Sequence, residues 1–201
     1  MGDGTGQAGR YNGLAQLLHW VTTAMLFLML PFVWVAENFP PGPVRIFWYL
    51  LHESFGITIL LLIIARLTWR AARPPPPLPG SDGPFLRGLA RVNHGLLYAV
   101  LIVMPVTGYL MAGNGQPVPF FGLFSLPGLP KSDPLGVVAN RIHVFTQFAV
   151  YGLVLMHIAG TVWHVAVRRD GLLNRMLPPQ KGEVTGSDQA AAGEGRAVAG
   201  R

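Results

Sequence analysis

The chain has 201 residues, 51% of them hydrophobic and 12% charged, with a formal net charge of +6 and no cysteine. The lack of cysteine excludes disulfides, thiolate-held zinc and cysteine-ligated iron–sulfur clusters. The length would suit one soluble domain, but apolar runs of about 20 residues recur, and such runs read as membrane helices.

Four spans are predicted, at about 14–36, 46–67, 89–112 and 137–167. Residues 1–13 are polar and Gly-rich and are expected to be mobile. The first apolar run is long and lacks a small-x-small exit, so it reads as a retained anchor and not as a cleaved signal. It runs LAQLLHWVTTAMLFLMLPFVWV, with Trp20 and Trp34 near opposite ends, as belt aromatics are placed, and Pro31 as a candidate kink. The short link ENFPPGPVR is rich in turn formers and predicts that spans one and two are antiparallel neighbours. Span two, IFWYLLHESFGITILLLIIARL, is followed by RPPPPLPGSDGP, a stiff stretch that cannot be helical.

Residues 85–91 read as a short interfacial lead-in to span three, LARVNHGLLYAVLIVMPVTGYLM, which holds Pro105 and Gly108 in its outer half. The segment 113–133, GNGQPVPFFGLFSLPGLPKSD, is the longest connection. It reads either as a lid or headgroup-layer segment or as a plain Pro-rich connector. Asp133–Pro134 resembles an N-cap followed by proline at the first helical position, so the fourth helix is expected to run from there to about Arg169. The membrane domain thus covers 14–178, and the polar tail 179–201 is expected to be disordered. No internal repeat is evident.

The basic residues sort by side. Twelve (Arg10, Arg66, Arg70, Arg73, Arg87, Arg91, Arg168, Arg169, Arg175, Lys181, Arg196, Arg201) fall on the side of the termini, against Arg45, Lys131 and Arg141 on the other. That bias reads as topology and not as a nucleic-acid surface, and it puts both termini in the cytoplasm. The expected fold is all-α: an up-down-up-down four-helix bundle crossing the membrane.

Ionisable side chains inside spans are costly and mark functional sites. With this topology, His52 and His143 lie in the outer half, and His19 and His157 lie deeper toward the cytoplasm. His143 and His157 are 14 residues apart. That is about 21 Å along a helix, on nearly the same face. One helix thus offers two ligands at separate depths, and bundles build ligand sites from such inward side chains. Neutral imidazoles are good iron ligands, and two of them fill both axial positions of a haem iron and leave no open site for oxygen. The pattern therefore reads as a cage for two stacked haems, held without covalent attachment because no CxxCH motif exists.

His164 lies on roughly the face of His157 and is the competing inner ligand. Its 21-residue distance from His143 would span about 31 Å, the whole hydrocarbon thickness, and disfavours it. His94 is given an interfacial or supporting role in preference to ligation. Arg66, 14 residues after His52 on the same face, is a candidate partner for an inner haem propionate, and Arg141 for an outer one; each also reads as an ordinary snorkelling arginine. Glu53 could carry a proton or bond a neighbouring helix. Gly56 and Gly152 leave room either for a macrocycle or for close helix packing.

The stretches LLHW, LLHESFGITILLLIIARL, NHGLLYAVLIVMPVTGYLM and RIHVF…GLVLMHIAGTVWHVAVRRDGLLNRML resemble the bacterial cytochrome b561 family over residues 10–178. That resemblance implies two haem b groups, with ligands on the first, second and fourth helices, which fall on His19, His52, His143 and His157. It also implies a quinone-linked oxidoreductase of the bacterial inner membrane, exchanging electrons with the quinone pool, with superoxide as an outer donor in some relatives. Two other readings remain open: a membrane-anchor cytochrome b subunit serving a dehydrogenase or hydrogenase, and a haem-free histidine-lined metal or proton transporter. The transporter calls for acidic residues within the spans, and Glu53 alone qualifies.

Overall fold

In the computed structural model, which describes residues 9–76 and 83–178, four long helices dominate. They are α1 (Gly13–Glu37), α2 (Pro43–Ala72), α3 (Pro84–Ala112) and α4 (Asp133–Trp163). A π-helical turn, His164–Arg168, extends α4, and a short 3-10 turn, Leu173–Met176, follows it. The tail beyond 178, most of the first segment, and 77–82 of the proline linker lie outside the described residues.

Each helix starts where local chemistry allows. Asn12 caps α1 by accepting the Ala15 N–H at 2.9 Å, the usual service of a side-chain oxygen at an N-terminus. Proline stands in the first turn of α2, α3 and α4, where its missing N–H costs nothing. Two boundaries differ from expectation. The lead-in at 85–91 is not separate, because α3 is continuous from Pro84. The cap of α4 is Ser132, one residue earlier than Asp133, which already lies in the first turn.

All four helices are long and apolar enough to cross a membrane. Their outward faces carry large apolar side chains; Phe145, for example, is 74% exposed. Such a surface suits hydrocarbon, which solvates apolar groups and leaves the helix to satisfy its own backbone.

Adjacent helices pack in antiparallel succession: α1 along α2, α2 along α3, and α3 along α4. The backbone of α4 makes at most marginal contact with α1 and α2. The bundle is therefore open along one inner seam, between α4 and the α1–α2 hairpin. Its dry core is a thin layer at mid-height, made of Leu26, Met29, Ile59, Ile63 and Leu101, with Val150 buried on α4.

The connection from α3 to α4 is a folded cap. Strands β1 (Val118–Phe120) and β2 (Phe124–Leu126) pair antiparallel, with Val118 opposite Leu126 and Phe120 opposite Phe124. Phe121 and Gly122 both have positive φ, 50° and 71°, as the two central residues of a type I′ turn require. For phenylalanine that conformation costs about 1–2 kcal/mol. It is held by the buried Ser54 of α2, whose Oγ accepts the Phe121 N–H at 2.7 Å. Asn114 braces the base of the cap by bonding both the N–H and the carbonyl of Ser132, at 2.7 and 3.1 Å. All-α thus describes the spans, with a small hairpin at the end away from the termini.

The opposite end is closed by the residues after α4. Gln16 Nε2 donates to the carbonyls of Tyr11, Leu177 and Arg175 at 2.9, 3.1 and 3.3 Å. Trp20 Nε1 donates to the Met176 carbonyl at 2.7 Å, and the Tyr11 N–H to the Arg175 carbonyl at 3.0 Å. The start of α1 and the end of the described chain therefore lie together.

Candidate functional site

The open seam is where the histidines meet. His52 on α2 and His143 on α4 face one another with ring centres 6.2 Å apart, near the hairpin end. His19 on α1 and His157 on α4 face one another at the same 6.2 Å, toward the terminal end. The four side chains expected to work together thus form two pairs, each bridging the seam where the backbones stand apart.

The spacing has a physical meaning. Metal–imidazole bonds of about 2 Å, continued to the ring centres, separate two trans rings by about 6 Å. Both pairs match that separation. Two facing imidazoles make a trans set, which suits an iron whose equatorial positions a porphyrin fills. Nδ1 of His19 and Nδ1 of His52 are buried without a hydrogen-bond partner. A buried nitrogen without a partner calls for one, and a group bound in the seam would supply it. The residues present therefore fit a haem at each level.

The two levels are kept apart by the dry core. Leu26 lies seven residues after His19, Ile59 seven after His52, and Val150 midway between His143 and His157. Seven residues are nearly two helical turns, so each helix returns the same inner face with an apolar residue in place of the histidine.

Helix α3 supplies no member of either pair, yet it backs both. His94 packs against His157 with ring centres 5.1 Å apart, too close for a metal between them at about 2 Å per bond. Fourteen residues on, Gly108 lies against His143. The spacing 94-to-108 repeats the spacing 143-to-157 on the antiparallel neighbour. Sequence reading placed His94 in a supporting role, and the geometry favours that. It missed Gly108, although the repeated 14-residue interval was available to find it.

His164 sits on the π-helical turn, with its Nδ1 2.6 Å from Asp170 Oδ2. Burial works against the Asp170 charge. The His164 bond, the Leu172 N–H and the nearby charges of His164 and Arg168 outweigh it and hold the carboxyl below its ordinary value. This commitment, and the pairing of His157 with His19, favour His157 over His164 as the inner partner.

Arg66 is half-buried, with its guanidinium 5.6 Å from the centre of the Tyr98 ring and within electrostatic reach of His19 and His157. Arg141 is exposed, two positions from His143, which is about 200° round the helix. Glu53 is half-buried beside His52. An added Cβ at Gly56 or at Gly152 would meet no atom within 4 Å, so neither glycine is there to admit a neighbouring helix.

Long apolar helices with half-buried histidines paired across one inner seam define a multi-pass membrane protein. The family model for prokaryotic cytochrome b561 matches residues 10–179, and the chain belongs to that family: it is a cytochrome b561-type membrane cytochrome, a family that implies haem b. Cytochrome b561 homolog 2 of Escherichia coli is 31% identical over 177 residues, covering 84% of this chain and 91% of that one. Cytochrome b561 homolog 1 of the same organism is 24% identical, covering 86% and 99%. "Probable superoxide oxidase CybB" of Yersinia pestis is 25% identical, covering 86% and 98%.

Proposed function

We propose that the chain is a di-haem b electron-transfer protein working as a quinone-linked oxidoreductase of the bacterial inner membrane, with its termini in the cytoplasm. The observation that carries this reading is the pair of equal 6.2 Å histidine separations at two levels of one seam. His52 and His143 would hold the outer group, and His19 and His157 the inner one. Haem b held between such pairs would supply reversible one-electron chemistry.

The chain's own residues set the rest. The mid-height layer of Leu26, Ile59 and Val150 excludes water between the levels. Arg66, half-buried with its guanidinium over Tyr98, would offer a positive charge to a propionate at the inner level. Arg141 would do the same at the outer level only by folding its long side chain back round α4. The twelve-to-three bias of basic residues supports cytoplasmic termini.

Superoxide is the proposed outer donor, a reading supported by the printed name of the Yersinia pestis relative. Two superoxide ions would give up two electrons as oxygen, and one quinone would take those electrons with two protons. The test uses the purified chain in proteoliposomes with entrapped or added quinone and a superoxide source. Quinol formed at one per two superoxide consumed supports the proposal. Reduction of the cytochrome without quinol formation contradicts it. A stable co-purifying dehydrogenase would instead favour the membrane-anchor subunit.

A further inference from the structure

Among the described glycines, Gly108 is the only one whose added Cβ would meet a histidine ring: 3.0 Å from Cε1 and 3.3 Å from Nδ1 of His143. Such contacts are tighter than nine in ten real ones, so an added Cβ would push the imidazole aside by a few tenths of an ångström. The imidazole therefore occupies a slot that exists because residue 108 has no side chain. One turn earlier on α3, the Met104 carbonyl lies 2.8 Å from His143 Nδ1. A carbonyl only accepts, so Nδ1 carries the proton of the neutral ring, and Nε2 is left with its lone pair. Thr107 completes the pocket: its Oγ1 shares one proton between the Val103 carbonyl at 2.8 Å and the Met104 carbonyl at 2.9 Å and stands 3.4 Å from the same Nδ1. Nδ1 of His52, the facing ring, is buried and has no partner.

We propose that Gly108 and the Met104 carbonyl are the positioning elements of the outer ligand pair. The glycine seats the His143 ring and the carbonyl fixes its tautomer, so that α3 sets the geometry of a site to which it gives no ligand. This inference rests on the reading of His52 and His143 as haem ligands. Anchoring a ligating imidazole through its other nitrogen also raises its basicity.

The test compares Gly108→Ala with Gly88→Ala in the detergent-purified chain. An added Cβ at Gly88 would meet nothing within 4 Å. Alanine is the better helix former at both positions, so a defect confined to Gly108→Ala cannot come from helix propensity. The readouts are haem per chain and the low-spin signals in electron paramagnetic resonance. Gly88→Ala should match the unaltered chain. Gly108→Ala should lose the outer signal, either by halving the bound haem or by turning that centre high-spin, while the inner signal persists and reports an intact fold. Two unchanged low-spin signals in Gly108→Ala overturn the proposal. If that variant does not accumulate, Thr107→Val decides. Removing the hydroxyl that shares the Met104 carbonyl and stands 3.4 Å from His143 Nδ1 should shift the outer signal with both haems retained, and no shift overturns the proposal. An unaltered chain without haem would instead fail the underlying ligand reading.

Discussion

At the scale of the residue, the account rests on which histidine does what. Truncating His143 or His157 to alanine removes one side of a trans pair, and half of the bound haem should be lost in each case. Truncating His94 should leave both haems in place, because its ring lies 5.1 Å from that of His157, too near to share a metal. Haem quantitation on the three purified variants checks this, and a His94 variant with one haem would show that the inner pair is wrongly assigned. The pairing of the four histidine rings across the seam was readable in the sequence because depth grows linearly with residue number and helical face repeats about every 3.6 residues. Gly108 and the Met104 carbonyl were not read from it. A glycine's use depends on what stands opposite, and a backbone carbonyl leaves no mark in a residue type.

At the scale of the element, the helices could be read from apolar run length, and their ends could not. The observed α2 runs Pro43–Ala72, well past the apolar core of its span, because helix continues into the polar boundary while backbone bonds remain to be made. The hairpin of β1 and β2 was missed. Its strands are three residues each, and its turn is held by Ser54, a residue 67 positions away from Phe121. Ser54 is 0% exposed, whereas the tip residues Leu123 and Phe124 are 79% and 56% exposed. The turn of the hairpin is therefore pinned at a buried point on α2, and the residues just after it are open. Ser54→Ala leaves the Phe121 N–H without its acceptor, at a cost of about 1–3 kcal/mol. The expected outcome is faster amide exchange across 118–126 with unchanged exchange in α2. Equal exchange in both proteins would show that the cap is held by its aromatic contacts alone.

At the scale of the whole molecule, the architecture is a bundle left open on one inner seam and sealed at both ends. Its order of spans followed from sequence because successive crossings of a membrane alternate in direction. The open seam did not, since it depends on how far α4 stands from α1 and α2. Orientation has a direct check, because the native chain has no cysteine to interfere. A single cysteine at Leu123 should react with an impermeant maleimide in intact spheroplasts, and one at Asn174 only after the membrane is opened. The reverse pattern would invert the topology.

The most direct test of the central claim is the haem-to-protein ratio of the purified, unaltered chain, taken with its reduced-minus-oxidised and low-spin resonance spectra. Two b-type haems per chain, both with bis-imidazole signatures, are the predicted result. No haem, or a single one, would contradict the account of two ligand pairs on one seam.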